Sequence, residues 1–187
     1  MLREAPVQSA ISFEQFLERE IHAQERHEFV DGNVFVMPGG TDRHNEIAQN
    51  ILEFLRPAAR TVGCRTFIES VLIRTPDETG YYPDVFVVCD SSQDTPRVKH
   101  QPCIIIEVLS ESTAAIDRGE KLRNYRTIPA LEVYVLLEQN SPLAEVFERQ
   151  ADGSWRHDLL TASSSLHFSR LNLDIPLQDL YQNLPEA

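Results

Sequence analysis

The chain has no apolar run of about 18 residues, so no membrane-spanning helix is expected. Its first residues, Met1 to Val7, hold no long apolar stretch, so no secretory signal is expected either. Basic residues are scarce: 17 Lys and Arg face 29 Asp and Glu, for a net charge of -12. That balance argues against a broad, non-specific nucleic-acid surface and leaves room only for a local basic cleft. Two short clusters could line one: Arg97, Lys99 and His100, and then Arg118, Lys121, Arg123 and Arg126. A solvated helix face is the plainer reading of the second. Cysteine is limited to Cys64, Cys89 and Cys103, an odd number without Cys-x-x-Cys spacing. Cys89 and Cys103 sit in strand-like runs and read as core thiols, which fits a reducing compartment, most simply the cytoplasm. The six histidines show no zinc-like spacing. A Gly-rich phosphate loop, a Gly-x-Ser-x-Gly elbow and internal repeats are also missing.

What is present suits a folded α/β chain. A length of 187 residues buries roughly 70% of the unfolded surface, enough for a core without staples. One domain over 1–187 is expected, with a core at about 41–138 and decorations at both ends. Ser12 to Glu20 reads as a short amphipathic helix. His27–Val30 and Asn33–Met37 form a hairpin around Asp31-Gly32. Thr41 or Asp42 caps a helix with apolar face Ile47, Ala48, Ile51, Leu52 and Leu55, which Pro57 is expected to end. Thr66–Arg74 reads as one strand. Asp84 opens a second and Glu107 lies late in a third. Asp117 reads as a helix cap, with Glu120 completing a capping box and the helix running to about Thr127. Leu131–Leu137 is a further strand, Ala144–Arg149 and Trp155–Leu160 a closing hairpin, Ser163–Ser165 a loop, and Leu177–Leu184 a short terminal helix. The order of helix, three strands, helix, strand implies a mixed central sheet flanked by helices, with added β-hairpins.

Two acids are costly where they stand. Asp84 follows Tyr82-Pro83 and precedes Val85-Phe86-Val87-Val88; Glu107 follows Cys103-Ile104-Ile105-Ile106 and precedes Val108-Leu109. Both runs read as buried strands, where a carboxylate needs a partner or a metal. On neighbouring strands the two could converge, and carboxylates about 4 Å apart repel by about 4 kcal/mol at an effective dielectric of 20. A divalent cation reverses that cost. Magnesium, or manganese, suits one or two carboxylates with water and phosphate oxygens, and the Val108 carbonyl could join them. Lys121, on one stripe with Asp117 and Tyr125, could orient a water or neutralise developing charge. Plainer readings exist for each residue: Asp84 as a strand-start cap, Glu107 as the partner of Arg118 or Arg123, Lys121 as an exposed helix lysine. One chemistry, metal-dependent phosphodiester cleavage, accounts for all three together.

The segments Tyr82-Pro83-Asp84-Val85, Glu107 to Thr113, and Asp117 to Tyr125 together resemble the Uma-two restriction-endonuclease family of the PD-(D/E)XK nuclease superfamily. The resemblance reaches upstream to Asp31-Gly32, Met37 and His44, and downstream through Tyr134-Val135-Leu136 to Leu177–Tyr181. It implies a restriction-endonuclease-like core, with Asp84 as first acid and Glu107 as second. The superfamily's lysine belongs two residues after the second acid, where this chain has Leu109; the resemblance moves that role to Lys121. It also implies that Glu46, on the first long helix, could be an extra metal ligand, against the plainer reading of an exposed acid.

His44, on the stripe with Ile47, Ala48 and Ile51, reads as a partly buried, hydrogen-bonded histidine. Glu69 is a weaker third acid. Ser110, with Ser112 and Thr113, could bind phosphate or shape its loop. Asp117 reads more as a cap than a ligand, and Tyr125 more as packing than chemistry. DNA is the expected substrate and a homodimer the expected assembly. The competing reading is a nuclease fold kept as a catalytically inactive binding or scaffold protein, favoured by the acidity and by Leu109.

Overall fold

The helix that carries His44 is longer than the prolines of the sequence suggest. In the computed structural model, which describes Arg3 and residues 5–185, α1 spans Phe13–Glu20 and α2 spans Asp42–Thr61. Both are capped at the N-terminus, α2 by Thr41 as expected. Ser12 and Gln15 form a reciprocal capping box, and the Thr41 side chain accepts from the His44 amide. Pro57 does not end α2; it lies inside it. The missing N–H frees only the carbonyl of Glu53, and both residues face solvent. The buried stripe Ile47, Ala48, Ile51 and Leu55 meanwhile continues to Ala59. Each buried Ile or Leu contributes about 1.5–3 kcal/mol, enough to offset the roughly 3 kcal/mol cost of an interior proline.

The hairpin forms as expected, with β1 at His27–Val30 and β2 at Asn33–Val36. Asp31 and Gly32 both take positive φ, the conformation a two-residue turn of this hand needs. The strand expected over Thr66–Arg74 is two strands, β3 (Arg65–Ile68) and β4 (Leu72–Arg74). Glu69 breaks it with φ +44°, turning the chain from one sheet into another. Next come β5 (Gly80–Tyr81), β6 (Val85–Val88), β7 (Val98–Lys99) and β8 (Pro102–Leu109). A helical segment follows as α3 (Ala114–Ile116), a π turn (Asp117–Lys121) and α4 (Leu122–Tyr125). The expected cap at Asp117 is therefore not one. It is buried inside the segment, where its carboxylate meets Lys121, and the regular helix stops at Tyr125 rather than near Thr127.

The C-terminal half holds β9 (Val133–Glu138), β10 (Ala144–Arg149), β11 (Trp155–Leu160), β12 (Ser165–Phe168) and β13 (Leu173–Pro176). The β12–β13 hairpin has no counterpart in the sequence reading, and the terminal helix is a 3-10 turn over Leu177–Tyr181.

The central sheet has six strands in the order β11-β10-β9-β8-β6-β3. All pairs are antiparallel except β8–β9, which the helical segment 114–125 connects. One face, with Val85, Val87, Ile104, Ile106 and Val135, packs on α2 and β12–β13. The other, with Phe86, Ile105, Tyr134 and Leu136, packs on Tyr125 and Ile128. This double cover explains why β6 and β8 are apolar on both faces. The second sheet, β2-β1-β5-β4-β7, carries α1 through Phe13, Phe16 and Phe29, and it delivers Glu28 to the site. The result is a mixed α/β fold, with a mixed sheet flanked by helices.

One cysteine expectation is corrected. Cys64 and Cys89 form a disulfide, leaving Cys103 as the free, buried thiol. The register Arg65↔Val88 places Cys64, just before β3, opposite Cys89, just after β6. Sequence spacing alone could not reveal that cross-strand meeting.

Candidate active site

The β6–β8 register pairs Val85 with Ile106, so Asp84 and Glu107 come next, opposite each other at the end of the strand pair. Each carboxylate holds the other strand's backbone. The Asp84 N–H donates to Glu107 Oε2 at 3.2 Å, and the Val108 N–H donates to Asp84 Oδ2 at 2.7 Å. The first turn of α2 brings His44 Nε2 to 3.1 Å from Asp84 Oδ2. The break after β3 brings Glu69, whose N–H lies 3.2 Å from the carbonyls of Pro83 and Asp84. Donor atoms of His44, Glu69 and Asp84 all fall within 4.8 Å of one another. Two carboxylates and an imidazole at that spacing make a donor set for a divalent ion.

Behind this cluster lies a closed charge network. Lys121 Nζ stands 3.0 Å from Glu107 Oε1, 3.0 Å from Asp117 Oδ1 and 3.3 Å from Glu28 Oε1. The Tyr125 hydroxyl also donates to Glu107 Oε1, at 3.0 Å, and the Tyr134 hydroxyl donates to the Asp117 carbonyl at 3.1 Å. Arg3 reaches both Glu28 and Glu120 at 2.7 Å, and the Tyr81 hydroxyl donates to Glu120 at 2.9 Å. Glu107, Asp117 and Lys121 are each at most 5% exposed. Three acids therefore share one buried ammonium, with Asp84 close by.

The protonation equilibria record that imbalance. Burial, reinforced by the charges of Asp84 and Asp117, pushes Glu107 well above the usual carboxylate range despite Lys121. Burial likewise raises Asp117. For Lys121, burial alone would lower the value; the charges of Asp117, Glu107 and Glu28 outweigh it and hold the ammonium well above its ordinary range. Burial would lower His44 too, but its bond to Asp84, the charges of Asp84 and Glu69, and the Val108 carbonyl raise it. The pocket thus favours added positive charge, which is what a cation site requires.

The other candidates fall into place around this core. Tyr125 and Asp117 bond into the network rather than merely packing or capping. Glu107 pairs with Lys121, not with Arg118 or Arg123. Arg118 is exposed and bound to Glu138 and Glu145, and Arg123 is exposed. Lys121 is buried, not an exposed helix lysine. Ser110 accepts from the Thr113 N–H and bonds the hydroxyls of Ser112 and Thr113, so it shapes its own turn. Glu46 is exposed beside Asp42, Asn45 and Asn183, apart from the His44–Glu69–Asp84 cluster. The basic run after Glu107 does not form a cleft: Lys121 is buried, and Arg126 lies over the rings of Phe147 and Trp155. Sequence reasoning missed Glu28, Arg3 and Glu120. The one available signal was Glu28, an acid within the apolar strand His27-Glu28-Phe29-Val30; Arg3 and Glu120 carried none.

A mixed sheet with paired acids at a strand end and a lysine from the crossover helix defines a protein of the restriction-endonuclease-like class. A solved structure supports that architecture: a putative nuclease belonging to DUF820 from Anabaena variabilis superposes with a TM-score of 0.74, covering 91% of this chain and 97% of its own, at 15% identity. The chain belongs to the Uma2 family, described as "Putative restriction endonuclease", whose pattern matches residues 13–176. Two relatives from Synechocystis sp. strain PCC 6803 are similar over most of their length. Uncharacterized protein slr1290 is 30% identical over 176 residues, 93% of each chain, and uncharacterized protein sll1609 is 28% identical over 164 residues, 85% of this chain and 93% of its own.

Proposed function

We propose that this protein is a magnesium- or manganese-dependent endonuclease that hydrolyses phosphodiester bonds in DNA. The observation that carries this reading is the junction of Asp84 with Glu107, His44 and Glu69 on one side of a buried ammonium, Lys121. Asp84, Glu69 and His44, whose donor atoms lie within 4.8 Å of one another, would hold the ion, with Glu107 and the Val108 carbonyl as further donors. The nitrogen donor makes manganese a better match than magnesium, which prefers oxygen throughout. When bound, the ion polarises the scissile phosphate and acidifies a water.

The chain's own residues do the rest. Lys121 keeps Glu107 in place and, buried among three acids, would offset negative charge that builds at the site. The Tyr125 hydroxyl bonds the same Glu107 oxygen as Lys121, and the buried rings of Tyr81, Tyr125 and Tyr134 keep bulk water from Lys121. The scaffold alternative drew on the acidity of the chain and on Leu109; the 3.0 Å contact of Lys121 with Glu107 weighs against the second of these supports. A single domain with its core at 41–138 is the simplest frame for this site, and a homodimer would present two sites to the two strands of a duplex. The cytoplasmic placement rests on the DNA substrate, because the Cys64–Cys89 bond removes the support of free thiols. The test is nicking of supercoiled plasmid with manganese, comparing the natural protein with Asp84→Ala. Loss of nicking in the variant supports the reading; equal rates in the two refute it.

A further inference from the structure

Five arginines, Arg3, Arg74, Arg118, Arg156 and Arg170, are ion-paired with acids among the described residues. Of the others, Arg26 is the one that bonds the backbone of a residue in the acid cluster. It is exposed, and among the described residues it has no ion-pair partner. Its Nη1 donates to the Glu69 carbonyl at 2.7 Å, and its guanidinium carbon lies 6.0 Å from the centre of the Tyr82 ring. Glu69 contributes a carboxylate to the His44–Glu69–Asp84 cluster, and Tyr82 stands two residues before Asp84. Arg26 is therefore held at the rim of the acid cluster by one N–H, with the rest of its fork unpartnered among the described residues.

Arg97 is a second exposed arginine without an acid partner among the described residues. Its carbonyl accepts from the Leu72 N–H, which ties it to the chain just past Glu69. Burial and Glu20 push the Tyr82 phenol up, and the charges of Arg26 and Arg97 pull it down. By contrast Lys99, in the same loop, is buried and paired with Asp94, which leaves it no free charge to offer.

A planar guanidinium with free N–H groups suits an oxyanion with two oxygens to present, and a phosphate is that group. An acid cluster that repels anions also benefits from positive charge at its rim when its substrate is a polyanion. We propose that Arg26, with Arg97 tied to the chain beside Leu72, binds a backbone phosphate of the nucleic-acid strand adjacent to the phosphate being cut. This inference rests on the phosphodiesterase reading of the site.

The experiment measures binding of a fluorescent duplex oligonucleotide by anisotropy between 50 and 200 mM salt. It compares the natural protein, Arg26→Ala, Arg26→Lys and Arg26→Ala/Arg97→Ala, with manganese calorimetry on each. Each lost arginine contact should reduce the log–log salt slope by about 0.9, the double variant by about 1.8, with weakening equal on duplexes of unrelated sequence. Arg26→Lys should keep most of the slope, and manganese affinity should not change. An unchanged slope overturns the proposal. So does a fall in manganese affinity without a change in slope, which would make Arg26 only a pin for Glu69. Failure of the natural protein to bind the duplex also overturns it. If the slopes fall as expected but the natural protein neither takes up manganese nor nicks DNA, the hydrolysis reading fails and the phosphate contact stands.

Discussion

Replacing Lys121 by methionine tests the site more severely than any other single change. Methionine keeps the stem and removes the charge. At an effective dielectric of about 20, each carboxylate contact near 3 Å is worth about 5 kcal/mol before the cost of burial. Desolvation cancels most of that sum, so the pair is not a large net stabiliser, but breaking it leaves Glu107 and Asp117 without a cation and Glu28 with Arg3 alone. The expected loss is about 3–5 kcal/mol in urea unfolding at pH 8 without metal. The sign with pH follows from the carboxylates. Glu107 and Asp117 are raised in the fold, so their charged forms destabilise it above those raised values and the penalty vanishes below the unfolded carboxylate range, near pH 4. The deficit of Lys121→Met should therefore shrink as pH falls from 8 toward 5. Manganese at a hundred times its dissociation constant should restore about 2.7 kcal/mol. Nicking should fall by about 10²–10³, the usual effect of removing one group that stabilises transition-state charge. A loss under 1 kcal/mol with unchanged nicking would refute the reasoning.

Removing a metal donor should separate binding from folding. His44→Ala and Glu69→Ala should each weaken manganese binding in calorimetry by at least about tenfold, because even indirect supports of metal ligands cost that much. EDTA should abolish nicking, with activity returning on manganese addition. Glu28→Gln removes one of the three acids on Lys121 and the partner of Arg3, and should cost about 1–3 kcal/mol in urea unfolding while leaving manganese affinity unchanged. Reducing the Cys64–Cys89 bond, which closes a 25-residue separation, should cost about 3–4 kcal/mol by loop entropy, read as a shift in the urea midpoint. Burial pushes the Cys103 thiol up to about 11, so native-state alkylation at pH 8 should be at least about a hundredfold slower than for an ordinary thiol.

Local chemistry made much of this structure legible in the sequence. The cap at Thr41, the Asp31-Gly32 turn and the apolar runs of β6 and β8 each follow from neighbours along the chain. That Asp84 and Glu107 could converge follows from strand alternation only on the condition that their strands are neighbours, which register alone decides. Apart from the β12–β13 hairpin, the main misses are tertiary. Pro57 stays helical because the buried stripe on its far side outweighs a local rule. Glu69 splits an apparently continuous strand because two sheets diverge there, and its φ is the only mark of it. Cys64 and Cys89 meet through strand register, and Glu28 reaches Lys121 through a separate sheet. None of these contacts has a spacing that a reading of the chain could detect.

The position of the lysine explains why the second sheet matters to the site. Leu109, two residues after Glu107 and on the same strand face, is buried in the core with Ile105 and Tyr134. A lysine there would have to bring its charge into that apolar layer. Lys121 avoids this by entering from the helical segment, at the π turn, where Asp117 and Lys121, four residues apart, both face inward. An ammonium arriving from a helix is only as well placed as the docking of that helix. Here the dock is ionic: Arg3 bridges Glu120 on the π turn to Glu28 on β1, and Glu28 in turn holds Lys121. The N-terminal segment and the β1–β2 hairpin, which look like decorations on the nuclease core, therefore help fix the charge that faces Glu107. A chain lacking them should keep the strand register that sets Asp84 opposite Glu107 and lose the anchor of Lys121, read as lost nicking with manganese affinity retained.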